Sequence, residues 1–127
     1  MIKDNSLYEK LFLVAGIYNI GASIIFIFGY RWLFPLINMN NPLFPSFMFL
    51  AFAFVFVFGI GYLIISKDLH KNHDIIRLGI LSKVLAFFVI FHGCFINVLP
   101  VIFYGAAIID LIWASAFINF IYKGFNS

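Results

Sequence analysis

Four apolar stretches, each about the length of a membrane crossing, constrain this chain more than any other feature. They run near 11–30, 46–66, 75–98 and 101–122. A helix rises about 1.5 Å per residue, so roughly 20 residues cross a hydrocarbon core about 30 Å thick. In hydrocarbon every backbone N–H and C=O must be paired within the protein, which favours helices over isolated strands. The second stretch tests this reading, because Phe47, Phe49, Phe52, Phe54, Phe56 and Phe58 fall partly at the period of a strand. Both faces of such a strand would be apolar, and the stretch is about twice the length of a membrane strand. On a helix the rings scatter around the circumference, which suits lipid contact. The expected fold is therefore all-α, an integral membrane four-helix bundle, with residues 1–127 as a single transmembrane domain.

Composition excludes the soluble alternatives. The chain is 65% hydrophobic and 10% charged, whereas soluble domains are about 25% charged. A soluble domain this small keeps much of its surface in water and could not hide so many apolar groups. The first stretch follows Lys3 and Lys10 as a signal peptide would. Its apolar run is too long for one, and no convincing A-x-A cleavage site follows, so it is expected to be retained. Net charge is +3, but the basic residues form no cluster suited to nucleic acid.

Their placement reads as topology. Lys3, Lys10, Lys67, Lys71, Arg77 and Lys123 fall on one side of the predicted bundle and Arg31 on the other. The positive-inside rule then places both termini in the cytoplasm, N-in and C-in, with a bacterial cytoplasmic (inner) membrane as the expected location. Trp32 sits where an interfacial anchor would. Pro35, Asn38, Asn40, Asn41, Pro42 and Pro45 mark the first loop, residues 67–74 the second, and residues 97–100 a tight turn.

The ionisable residues inside the spans carry the functional information. A Lys or Asp at a helix centre costs roughly 2.5–3.5 kcal/mol on the insertion scale. Such groups normally face protein or water and mark functional candidates. Lys83 and Asp110 qualify. At about 100° per residue, Lys83 shares a stripe with Gly79, Ala86, Ile90, Gly93 and Asn97. Asp110 shares one with Phe103, Ala106, Ala107, Ala114 and Phe117. Asn19 lies with Ala15, Gly16, Ala22 and Ser23, and Tyr62 with Ala51, Val55, Gly59 and Ser66. Small residues let membrane helices approach closely, so Asn19, Tyr62, Lys83 and Asp110 are expected to turn toward a common interior. Asn19 and Lys83 lie roughly 12 Å from the basic side and Asp110 roughly 18 Å, so Lys83 reaches Asp110 only if the helices tilt or shift. Three roles stay open for this group: a structural pair, a site for a ligand or ion, or a Lys83 that snorkels to the interface.

Other candidates point elsewhere. His92 falls on the opposite face of its helix from Lys83, so it and Phe88 are candidates for contact with lipid or another subunit. Asp68, His70, His73 and Asp74 imitate metal ligands, but at a spacing common in polar loops. Cys94 is the only cysteine and has no resolving or metal-ligating partner. No nucleophile–base arrangement, phosphate loop or carboxylate pair is visible, so neither a catalytic residue nor a cofactor is assigned. The leading expectation is a non-catalytic accessory or structural subunit, partnered by the lipid bilayer and by a homo-oligomer or larger membrane complex. The alternatives are a small transporter or channel using Lys83 and Asp110, and a membrane enzyme or binder of lipid, quinone or another apolar ligand.

AGIYN at 15–19, GIGY at 59–62, the loop DLHKNHDIIR at 68–77, GILSK at 79–83 and DLIW at 110–113 together resemble a family. It comprises small bacterial membrane proteins of four helices, some labelled alkyl hydroperoxide reductase, more distantly similar to DoxX-like bundles. The resemblance implies the same four-helix fold. A thiol peroxidase needs an activated cysteine and usually a resolving one. Cys94, alone near the end of an apolar helix, supplies neither.

Overall fold

The computed structural model describes residues 5–124 and arranges them as four helices. These are α1 (Asn5–Leu36), α2 (Pro45–Lys67), α3 (His73–Phe95) and α4 (Phe103–Asn119), the last continuing through a π-helical turn at Phe120–Gly124. All four are long and apolar enough to cross a bilayer. Large apolar side chains such as Phe28, Phe54, Leu85 and Ile112 are exposed around the bundle. In water that surface would be untenable; in lipid it is the solvent-facing surface. The chain is an integral membrane four-helix bundle.

The helix ends differ from the sequence boundaries. α1 reaches Leu36 and includes Pro35 in its last turn, where a proline breaks few helical hydrogen bonds. At 32 residues its length is about 48 Å, so it projects beyond the hydrocarbon. α2 begins with Pro45 at its first position, where the missing N–H is no loss. α3 stops at Phe95, and α4 starts at Phe103 rather than 101. α1 and α3 end alike on this side of the bundle. Asn38 and Asn97 take positive φ of 56° and 63°. Met39 N–H then donates back to the Phe34 carbonyl and Val98 N–H to that of Gly93, both at 2.9 Å. This left-handed cap satisfies carbonyls a helix end would otherwise leave bare, and Asn tolerates it better than most residues.

The bundle is two hairpins. α1 packs along α2 and α3 along α4, while α2 meets α3 over a much smaller length. The first hairpin closes where Gly16 faces Gly59. A β-carbon on Gly16 would stand 2.8 Å from the Gly59 carbonyl oxygen and 2.6 Å from Leu63. The hairpins join near the basic end, where a β-carbon on Gly79 would lie 2.8 Å from the Tyr62 ring. There Phe12, Tyr62, Ile65, Leu69, Ile76, Phe117 and Phe120 form a buried cluster, with Phe12 stacked on Phe117 at 4.8 Å and edge-on to Phe120 at 5.5 Å. α1 and α4 thus meet through large rings at this end.

Because the obstruction at Gly16 is partly backbone, Gly16→Ala must push α1 and α2 apart. It is expected to lower stability in detergent by about 1–3 kcal/mol, the usual cost of overpacking. Gly21→Ala and Gly105→Ala, where nothing lies within 4 Å of the added carbon, serve as controls. Thermal unfolding of the three variants checks this, and an unchanged Gly16→Ala would remove the close crossing.

Candidate functional site

Each helix delivers one part of a polar chain across the bundle. Asn19 of α1 donates from Nδ2 to the Val55 carbonyl of α2 at 3.2 Å. Its Oδ1 accepts from Lys83 Nζ of α3 at 2.8 Å. Lys83 Nζ also donates to Asp110 Oδ1 of α4 at 3.1 Å, with side chains 7% and 14% exposed. The two hydrogen bonds to Lys83 are charge-assisted and stronger than neutral ones. Buried Ala107 and Ala114 keep the facing stripe of α4 small, as close helix packing requires. The depth difference between Lys83 and Asp110 is thereby bridged by the long lysine stem.

The structure brings Asn19, Lys83 and Asp110 into direct contact and treats Tyr62 differently. The Tyr62 ring is fully buried and lies 5.9 Å from Lys83 Nζ. Its hydroxyl sits beside Ser82 without a well-formed hydrogen bond. Tyr62 forms the wall under the polar chain and no link of it. Tyr18 is a residue that sequence reasoning did not single out. Its ring lies 5.4 Å from Lys83 Nζ and 6.0 Å from Trp113, so Lys83 sits against two aromatic faces, a favourable setting for a cation. The available signal was its position: Tyr18 precedes Asn19 and lies one turn before Ala22.

Beyond this chain of contacts the hairpins part around a cavity of about 470 Å³, within the roughly 300–1,000 Å³ of small-molecule sites. Its lining repeats at helical spacing on every helix: Tyr18, Asn19, Ala22 and Phe26 on α1, and Ala51, Phe52, Phe54, Val55 and Phe58 on α2. α3 supplies Ser82, Lys83, Leu85, Ala86, Val89 and Ile90, and α4 supplies Phe103, Ala106 and Asp110. The exposed members of this lining, Ala51, Phe54, Leu85 and Val89, all belong to α2 and α3. The cleft therefore opens sideways between these two helices. Its floor is polar, its walls are apolar, and the aromatic cluster closes it toward the basic end. The rings that scatter around α2 divide between lipid and cleft: Phe52, Phe54 and Phe58 line the cleft, and Phe52 stacks on Phe26 at 4.7 Å.

The remaining candidates lie apart. Phe88 and His92 are exposed on the outer face of α3. Cys94 is buried, and its thiol donates to the Pro100 carbonyl at 3.5 Å, bracing the α3–α4 turn. Arg77 pairs with Asp74 at 2.9 Å on the surface, an arrangement worth little in stability. Among the described residues no group of three or more His, Cys, Asp or Glu side chains could hold a metal. No family model, curated protein sequence or solved structure matches the chain.

Lys83 and Asp110 should be energetically coupled. Breaking one side of a buried pair costs roughly 3–5 kcal/mol, while apolar replacement of both can be near neutral; alternative partners within a membrane reduce that contrast. Lys83→Met and Asp110→Leu are each expected to lower thermal stability in detergent, and the double variant to lose less than their sum. Additive losses would rule the coupling out.

Proposed function

We propose that this protein binds an apolar ligand with a small polar end, taken up sideways from the bilayer. The observation that carries this reading is the cleft itself. It joins an aromatic, apolar interior to a buried polar floor of Asn19, Lys83 and Asp110, and it opens between α2 and α3. The cluster around Phe12, Tyr62 and Phe117 blocks continuation toward the basic end, which favours a binder over a channel. Asp110 lines the cleft. A purely structural pair would leave the volume above it without a role. The resemblance to small four-helix bacterial membrane proteins implies the fold alone and is compatible with this reading.

Filling the cleft should displace the ligand without disturbing its floor. Ala86→Phe adds a ring to the lining and leaves Asn19, Lys83 and Asp110 in place. Native mass spectrometry of protein extracted directly into lipid nanodiscs is expected to show a co-purified apolar molecule on the wild type that is lost or greatly reduced in Ala86→Phe. Equal adducts on both would refute a cleft ligand.

The orientation proposed is N-in and C-in in a bacterial cytoplasmic membrane. Lys10, Lys67, Lys71, Arg77 and Lys123 are exposed at one end of the bundle and Arg31 at the other; Lys3 lies outside the described residues. In a Cys94→Ala background, Asn41→Cys should react with an impermeant thiol reagent in intact cells. Lys71→Cys should react only after permeabilisation. The reverse pattern would invert the topology.

A further inference from the structure

The polar floor also constrains the chemistry of the ligand's head, an inference that rests on the cleft being a binding site. Lys83 and Asp110 neutralise each other at 3.1 Å, in a site that is largely buried. An anionic head would compete with Asp110 for the ammonium and leave one negative charge unmatched. A cationic head would compete with Lys83 and leave one positive charge unmatched. Either imbalance is heavily penalised where little water screens it. The unused hydrogen-bonding capacity narrows the chemistry further. An ammonium has three protons, and two of those on Lys83 go to Asn19 and Asp110. One donor remains. Asp110 accepts from Lys83 through Oδ1, and among the described residues Oδ2 takes no hydrogen bond. Oδ2 is therefore a wholly unused acceptor oxygen, on a residue that lines the cleft.

We infer that the cleft selects an uncharged amphiphile whose head is a hydroxyl, accepting from Lys83 and donating to Asp110. A hydroxyl supplies one donor together with acceptor lone pairs and inserts beside the ion pair without changing the charge. A carboxylate supplies no donor, and a quaternary ammonium supplies neither donor nor acceptor. The walls contributed by Phe26, Phe52, Val89 and Phe103 accept an aliphatic chain, and the opening between α2 and α3 lets its far end remain in lipid. A single-chain lipid alcohol and a glycerolipid with a free hydroxyl share this chemistry.

The test compares probes of matched chain length on protein in nanodiscs, with bound mass read by native mass spectrometry. The probes are dodecanol, dodecanoate and dodecyltrimethylammonium, with dioctanoylglycerol as a two-chain alcohol. Dodecanol is expected to bind at least about tenfold more tightly than either charged probe, and to lose that binding in Ala86→Phe. Preference for dioctanoylglycerol over dodecanol would assign the hydroxyl to a glycerolipid, and the opposite order to a single-chain alcohol. Asp110→Asn keeps the shape of the floor but leaves Lys83 unbalanced, so it should shift the preference toward dodecanoate. Binding of dodecanoate as tight as dodecanol on the wild type, still abolished by Ala86→Phe, would overturn the hydroxyl head while leaving the cleft intact. Probe binding indifferent to Ala86→Phe would overturn both. If Asp110→Asn fails to fold, the wild-type ranking decides alone.

Discussion

The chain from the Val55 carbonyl through Asn19 and Lys83 to Asp110 is the interaction on which this bundle depends. In water the burial of apolar faces would hold four helices together. In lipid that driving force is absent between helices, because the tails are as apolar as the side chains they would replace. Close packing and interhelical hydrogen bonds must carry association. The polar chain is continuous across all four helices and lies near mid-bundle. Each of its members has a partner within it, which matters where an unpaired polar group has no water to turn to.

The rest of the architecture divides around that level. Toward the basic end, Tyr62 fills the space left by Gly79, and Phe12, Phe117 and Phe120 interlock. Toward the other end, each hairpin stays tight internally while the two separate. Aromatic side chains serve both halves in different ways. Below the polar chain they face one another and exclude space. Above it Phe26 and Phe52 stack flat against each other and leave room beside them. The same residue type thus makes a seal at one end and a cleft wall at the other, and the exposed Ala51, Phe54, Leu85 and Val89 mark where the wall opens.

Much of this geometry was legible because membrane helices announce themselves by length and because inward faces carry small residues. Gly16, Gly59, Gly79, Ala107 and Ala114 mark the packed stripes, and the polar groups on those stripes follow. The facing of Asn19, Lys83 and Asp110 could be read from periodicity alone. The cleft could not. It arises from the angle between two hairpins, a property no single-helix wheel contains, and its lining mixes the small Ala22, Ala86 and Ala106 with large rings. The phenylalanines of α2 show the same limit: on a helix that is apolar all round, lipid-facing and cleft-facing rings look identical in sequence. The end of α1 lies past its expected boundary because Pro35, read as part of the loop, sits in the helix's last turn, whereas α2 starts at Pro45, one residue from the expected 46.

A charged pair is a costly way to close a bundle. Each ionisable group carries an insertion penalty, and well-packed apolar residues of similar volume often serve stability equally well. The close crossing at Gly16 and Gly59 and the ring cluster around Phe12 add helix contacts that need no charge. Asn19 alone could tie α1 to α2 through the Val55 carbonyl. Lys83 and Asp110 add something that apolar side chains cannot, a donor and an acceptor held at a fixed spacing in a place without bulk water. Their position at the floor of an apolar cleft, rather than within the sealed cluster, gives that capacity a direction. The pair lines a cleft that opens toward the bilayer between α2 and α3, and this placement makes recognition a fuller account of the charges than stability.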